Sequence, residues 1–251
     1  MHTEETNHLD IALSIVLPCL NEAASLGGCI RDARAGLAAL GITGEIVVAD
    51  NGSTDNSIAI ARECGARVVQ VRQRGYGAAL NAGIAAATGK YIIIADSDRS
   101  YDLSTLLPFW TRLLEGDHMV IGNRFIGGIR PGAMPVLNRF IGNPLLTAIG
   151  RFLFRADIGD FQCGIRAAQT DALRALNLRA TGMEHASEMI ARAAQAGLRI
   201  TEVPTVLSIA QRPRKPHLRP WRDGVRNLNL LLRLYATAQP KPMPPPRLGF
   251  P

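Results

Sequence analysis

Five short runs, at residues 11–17, 45–49, 66–71, 91–95 and 118–121, are apolar at nearly every position and rich in Val and Ile, with Ala-rich stretches of helical composition between them. Strands that are apolar on both faces must be covered on both faces. The pattern therefore predicts an α/β fold: a mainly parallel sheet with right-handed crossover helices on either side. Ligands of such sheets bind outside the carboxyl ends of the strands, so the residues that follow each run matter most.

Pro18, Asn21 and Glu22 follow the first run, residues 50–55 (DNGSTD) the second, Asp96, Ser97 and Asp98 the fourth, and Gly122-Asn123-Arg124 the fifth. The predicted rim is thus a row of acids, amides and a cation. Ser53, Thr54 and Asp55 are good N-cap residues for a helix through Ile58 and Ile60, so that segment reads equally as cap or ligand contact. Capping explains less at Asp96 and Asp98. Two carboxylates that close together are costly unless a cation lies between them. An all-oxygen donor set favours Mg²⁺ or Mn²⁺, with substrate phosphates supplying the other ligands. Two phosphate signatures are missing: PCLNEAASLGG stands where a dinucleotide fingerprint would follow the first strand, and no Walker A sequence occurs. Gly75-Tyr76-Gly77 reads as a flexible turn opening a helix over 78–87.

The chain has 251 residues, 47% apolar and 20% charged, which suits one large domain with an appendage. Cys19, Cys29, Cys64 and Cys163 are far apart in sequence, which argues against a disulfide framework or zinc cage. The polar, acidic start MHTEETNHLD lacks the pattern of a secretory signal, and a cytoplasmic setting is expected. No apolar run approaches the ~18 residues of a membrane span. The net charge of +7 is local: residues 211–251 hold nine Lys or Arg and one acid, leaving the body at −1. Such a segment suits nucleic acid, anionic lipid or a phosphorylated ligand, or is a solvated tail. Within it Val225, Leu228, Leu231, Leu232 and Tyr235 recur at helical spacing among arginines, as in a membrane-surface helix or one docked on the body. Residues 239–251 are proline-rich and expected to be extended.

The segments PCLNE, VADNGSTD, Asp96-Ser97-Asp98, GNRF, CGIRA and TGMEHASEM together resemble family 2 glycosyltransferases, most of all the dolichol- or polyprenol-phosphate sugar (mannosyl or glucosyl) transferases, over residues 11 to 229. The resemblance implies a glycosyltransferase A fold. It divides the chain into a polar extension (1–10), a catalytic domain (11–210, with a nucleotide-sugar half 11–125 and an acceptor half 126–210), a basic loop and amphipathic helix (211–238) and the tail (239–251). By position it assigns Pro18, Leu20 and Glu22 to the nucleoside, Asp50 and Asn51 to base or ribose, and Asp96, Ser97 and Asp98 to metal and diphosphate, the two carboxylates being the metal ligands. Arg124, Arg212 and Arg219 match basic positions that contact donor or acceptor phosphates. Asn51 stands where many members have Asp, and Arg99 where many have an acid or an apolar residue; many members also continue into transmembrane helices where this chain turns proline-rich.

The implied activity is metal-dependent, inverting transfer of a hexose from a GDP- or UDP-sugar to a polyprenyl phosphate, with Asp98 and Arg124 catalytic. The basic segment would hold the enzyme peripherally on the anionic inner face of the membrane, which leaves no role for nucleic acid. A phosphate monoester is largely dianionic at neutral pH and needs no protein base. A hydroxyl acceptor on a glycan or small metabolite, the second reading, needs one, and Asp160 and Glu184 are the candidates, Glu184 also suiting a cap for a helix over 186–196. Arg139 and Asn143, four apart on an expected helix, suit an acceptor phosphate, although Arg139 equally suits a surface ion pair. A non-catalytic basic binding module is the third reading.

Overall fold

The computed structural model describes residues 11–211 and 220–237. Among these, seven strands form one sheet: β1 (Leu13–Cys19), β2 (Gly44–Asp50), β3 (Arg67–Gln70), β4 (Tyr91–Ile94), β5 (Met119–Asn123), β6 (Arg166–Gln169) and β7 (Ile200–Pro204), in the order β3-β2-β1-β4-β6-β5-β7. The first five coincide with the five apolar runs. Pairings are parallel except at β6, which runs antiparallel between β4 and β5. The sheet is thus mainly parallel, as expected, with one reversed strand near its centre. The helices are α1 (Leu26–Leu40), α2 (Ser57–Glu63), α3 (Tyr76–Ala86), α4 (Leu107–Leu114), α5 (Arg124–Gly127), α6 (Asn143–Phe154), α7 (Thr170–Ala175), α8 (His185–Gln195) and α9 (Pro220–Ala236); a π-helical turn, Asn138–Gly142, leads into α6.

All seven positions of β1 are buried, which is what a central strand flanked by β2 and β4 and covered on both faces requires. Burying side chains such as Leu13, Ile15 and Leu17 contributes about 1.5–3 kcal/mol each. Its one polar member, Ser14, is satisfied: the hydroxyl donates to Glu45 Oε1 at 2.7 Å and accepts from the Gly89 N–H at 2.8 Å. Helix α1 packs through Leu26, Cys29, Ile30, Ala33 and Leu37, spaced to lie on one stripe. It stops at Gly41, whose φ of +64° suits glycine and whose N–H bonds back to the Ala38 carbonyl. The cysteines are free thiols, and burial pushes those of Cys19 and Cys163 up to about 11.

The amphipathic stretch near the carboxyl end is α9, and it docks on the body. Leu231 and Leu234 form a small cluster with Ala191 of α8, against which Ile149, Leu153 and Phe154 of α6 pack. Phe154 and Tyr235 meet edge to face at 6.5 Å, and the Ser187 hydroxyl donates to Asn227 Oδ1 at 2.7 Å. Leu231 and Leu234 thus face protein, whereas Val225, Leu232 and Tyr235 of the same stretch are exposed, so α9 docks through part of its apolar surface. No helix among the described residues is long and apolar enough to cross a membrane.

Candidate active site

The carboxyl ends of β1, β2 and β4 meet as the sequence reading expected, and the loops are laced by side chains. Asn21, at φ +56°, accepts from the Thr54 N–H at 2.7 Å, while its own N–H donates to Ser53 Oγ at 2.9 Å. The Glu22 N–H donates to Ser57 Oγ at 2.9 Å. The 53–55 segment thus ties the two loops together and also serves the start of α2: Asn56 at the N-cap position makes no side-chain cap bond, but Asp55 Oδ1 accepts from the Ser57 N–H at 3.0 Å. Asn51 is fixed to the stretch before α3: its Oδ1 accepts from the Gly75 N–H at 2.7 Å and its amide donates to the Gln73 carbonyl at 2.6 Å. An aspartate could accept the first bond but not donate the second.

Two clefts open from this rim, of about 350 and 410 Å³. The first is lined by Pro18, Leu20, Glu22, Asn51, Ser97 and Arg74. The second is lined by Arg124, Met134, Asn138, Asn143, Arg166 and His185. Tyr76, Asp96 and Asp98 line both, so the carboxylate pair stands on the shared wall. Asp96 Oδ1 accepts from the Tyr76 hydroxyl at 2.8 Å, and Asp98 Oδ1 accepts from the Ser100 N–H at 3.0 Å. Burial, and then the Asp96 charge, push the Tyr76 hydroxyl well above its ordinary range, which keeps it a donor. Ser97 pins the wall to β1 by donating to the Pro18 carbonyl at 2.7 Å.

This donor set fits a hard divalent cation. Both groups are carboxylates, and among the described residues no cluster of three or more His, Cys, Asp or Glu could complete a shell. Mg²⁺ or Mn²⁺ held there would draw its remaining ligands from a diphosphate and water. Arg99, at φ +61°, turns away to pair with Asp32 at 2.9 Å, and it lines neither cleft.

Several expected site residues are placed differently. Asp50 is buried and lines neither cleft, because its carboxylate accepts from the N–H groups of Gly52 and Ser53 at 3.0 and 3.1 Å and shapes the turn after β2. Asp160 is unsuited to act as a base: it is fully buried and holds Arg124 in a two-point bond of 2.6 and 2.7 Å. Burial disfavours the Arg124 charge, but Tyr101 and Asp160 beside it outweigh that and keep the guanidinium cationic. Glu184 lies at the N-cap position of α8 without capping it; it pairs with Arg226 at 2.6 Å and lines neither cleft. Arg139 and Asn143 do not converge. Asn143 lines the second cleft, whereas Arg139 is exposed with its guanidinium over the Phe140 ring at 5.4 Å. Arg212 and Arg219 lie outside the described residues.

Sequence reasoning missed Tyr76, Arg166 and His185. Gly75-Tyr76-Gly77 is no flexible turn: a Cβ on Gly75 or Gly77 would strike the backbone of residues 180–182, so the glycines let α3 start close enough to aim Tyr76 at Asp96. Arg166 is buried and donates to the carbonyls of Cys163 and Phe161 at 2.9 and 2.8 Å, with burial lowering its pKa. His185 is fully buried, with Nε2 on Asn81 Oδ1 at 2.9 Å; burial and the nearby Arg166 push it down to about 3. Its Nδ1 has no hydrogen-bond partner.

The fold is a mixed α/β domain with two clefts sharing a carboxylate wall at the strand ends, and comparison with known proteins gives the family. The chain belongs to glycosyl transferase family 2, which its residues 14–176 match. It is 38% identical over 226 residues to the low-salt glycan biosynthesis hexosyltransferase Agl6 of Haloferax volcanii, a match covering 89% of this chain and 54% of that protein. It thus spans about half of that relative's length. It is 32% identical over 199 residues to a dolichyl-phosphate hexose transferase of the same organism, covering 76% of this chain and 81% of that protein. The glucosyl-3-phosphoglycerate synthase of Mycobacterium tuberculosis, crystallised with Mn²⁺, UDP-glucose and phosphoglyceric acid, superposes with a TM-score of 0.69 at 25% identity over 92% of this chain and 82% of that one. The fold is the glycosyltransferase A fold that the resemblance implied.

Proposed function

We propose that this chain is a metal-dependent, inverting hexosyltransferase that moves a sugar from a nucleotide donor to a polyprenyl phosphate. One observation carries the reading: Asp96 and Asp98 stand on the wall between a cleft rimmed by the β1, β2 and β4 loops and a second cleft holding Arg124 and Arg166. The first suits a nucleoside diphosphate-sugar and the second a phosphorylated acceptor, so the two anions would meet at the carboxylate pair.

In this reading Pro18, Leu20, Glu22 and Asn51 hold the nucleoside end of the donor. Asp96 and Asp98 would hold Mg²⁺ or Mn²⁺, which supplies Lewis-acid stabilisation of the leaving diphosphate worth several kcal/mol. Tyr76 and Ser100 orient those carboxylates. Arg124, fixed by Asp160, presents a cation where negative charge accumulates, and Arg166 adds a second on the acceptor side. The acceptor phosphate, dianionic at neutral pH, attacks the anomeric carbon from the face opposite the diphosphate. Proton removal is then unnecessary. That agrees with the geometry, because Asp160 and Glu184 are both committed to arginines and His185, at about 3, is too weak a base at neutral pH.

The relatives' names support the acceptor class, and the basic carboxyl-terminal segment supports a peripheral cytoplasmic enzyme at the membrane face. The phosphoglyceric acid in the Mycobacterium structure favours a second reading, a small soluble acceptor bearing a phosphate. Incubating the full chain with UDP- and GDP-hexoses, Mn²⁺ or Mg²⁺, and either a polyprenyl phosphate or phosphoglyceric acid decides between them. A sugar linked through a phosphodiester to the lipid is the expected product. Donor binding with transfer only to a hydroxyl would overturn the lipid reading, and absence of donor binding under every condition would overturn the whole.

A further inference from the structure

Residues 125–155 contain Arg130, Arg139, Arg151 and Arg155 but no Asp or Glu. The same stretch carries most of the large apolar side chains left open to solvent. Phe125 and Ile126 of α5 are exposed, as are Val136, Leu137, Phe140 and Ile141 around the π-helical turn, and Leu145 and Phe152 of α6. Val136 is 73% and Phe152 84% exposed. Val206 and Ile209 extend the surface from the segment after β7, which the Ile129–Leu207 bridge holds alongside α5.

The spacing makes this a face. Leu145, Ala148 and Phe152 are all exposed and recur at i, i+3 and i+7 on α6, while Ile149, Leu153 and Phe154 on its other side pack towards α9. A helix apolar on both sides is ordinarily buried on both. Here only the inner side is covered. Arg151 pairs with Asp157 at 2.6 Å, whereas Arg130, Arg139 and Arg155 have no ion pair among the described residues.

We propose that this face is the surface by which the protein docks on an anionic lipid bilayer. Aromatic and aliphatic side chains bordered by cations, with the neighbouring acid Asp157 paired to Arg151, are the composition that inserts shallowly at a headgroup boundary, the arginine stems lying along the apolar layer while their heads meet lipid phosphates. A second copy of the chain fits less well: a two-fold contact would set this arginine-bordered surface against itself, arginines facing arginines. The face also borders the second cleft, because Met134, Pro135 and Asn138 line that cleft and belong to the same stretch. A lipid phosphate in the bilayer would reach Arg124 without leaving the headgroup layer; that last step rests on the acceptor reading above, while the docking itself stands on exposure and charge.

The test is co-sedimentation of the full chain with phosphatidylcholine vesicles, with and without phosphatidylglycerol. Binding to the anionic vesicles is expected, weakened about tenfold or more by Phe140→Ser with Phe152→Ser, while the affinity for UDP-glucose with Mn²⁺ is unchanged. A wild-type chain that stays in the supernatant, or a double variant that sediments equally well, overturns the proposal. So does a dimer in light scattering that the double variant dissociates, since the face would then belong to self-association. Vesicle binding without transfer to a polyprenyl phosphate would remove the acceptor reading and leave the docking face standing. Transfer to a water-soluble short-chain prenyl phosphate without vesicle binding would do the reverse.

Discussion

Asp98 and Asp160 are both buried acids within the site, yet opposite outcomes follow from removing each. Asp98 lines both clefts beside Asp96, a like charge on the same wall. Asp98→Ala should therefore lower transfer by about a hundredfold or more, the scale of losing several kcal/mol of Lewis-acid stabilisation, while the urea midpoint stays level or rises. Asp160 holds Arg124 and also accepts from the Gln162 N–H at 3.2 Å. Asp160→Asn leaves a buried guanidinium uncompensated and should cost about 3–5 kcal/mol of stability, read by urea denaturation; Arg124→Met added to it should restore part of that loss. His185 gives a pH signature. Folded, it protonates only near 3, against 6.5 for the ordinary imidazole, so below about 6.5 the unfolded chain binds the extra proton and folding weakens. Its contribution is complete above that pH and declines by about 1.4 kcal/mol per unit as pH falls towards 3. The difference in stability between wild type and His185→Gln, followed from pH 7 to pH 4 in urea, should shrink accordingly; a constant difference would contradict a buried neutral imidazole.

At the level of elements, what could be read in advance depended on whether its cause was local. The strands β1, β2 and β4 are apolar on both faces and announce themselves, and the acids that follow β4 come with them. β6 is only four residues, RAAQ, with an arginine whose role depends on carbonyls of the preceding loop and of α8. Nothing within that tetrapeptide marks a strand, still less an antiparallel one. The Arg124–Asp160 pair, 36 residues apart, and the Tyr76–Asp96 bond, 20 apart, form only once the sheet has closed. Asp50 misled for the opposite reason: an acid at a strand end serves a turn as readily as a ligand. The glycines before α3 could have been informative, since two glycines flanking an aromatic at a helix start suit a close backbone approach. Gly77→Ala tests that origin. The added Cβ would press on the Ala180 carbonyl and the His185 side chain, so α3 must shift and Tyr76 with it. A loss of about 1–3 kcal/mol in stability is expected, with weaker donor binding by calorimetry; unchanged affinity would show that Tyr76 does not govern Asp96.

For the molecule as a whole, folding, metal and donor should be linked. Two carboxylates are a thin donor set for a divalent ion, so the metal alone should bind weakly, and a nucleoside diphosphate alone should face the like charges of Asp96 and Asp98. Bound together, each removes the other's penalty, and their combined stabilisation should exceed the separate effects. At a hundredfold excess over the dissociation constant a ligand that binds only the folded state adds about 2.7 kcal/mol. For a chain of this size that corresponds to roughly 5–10 °C in melting temperature. Thermal melts of the full chain with Mn²⁺, with UDP or GDP, and with both should show a small shift, a small shift and a large one, for whichever nucleotide the first cleft accepts. EDTA should abolish the large shift. Asp98→Ala should leave only the small ones, even though that variant is expected to be as stable as wild type without ligand. Additive shifts in the wild type, or a large shift that survives in Asp98→Ala, would place the metal elsewhere and separate the carboxylate pair from donor binding.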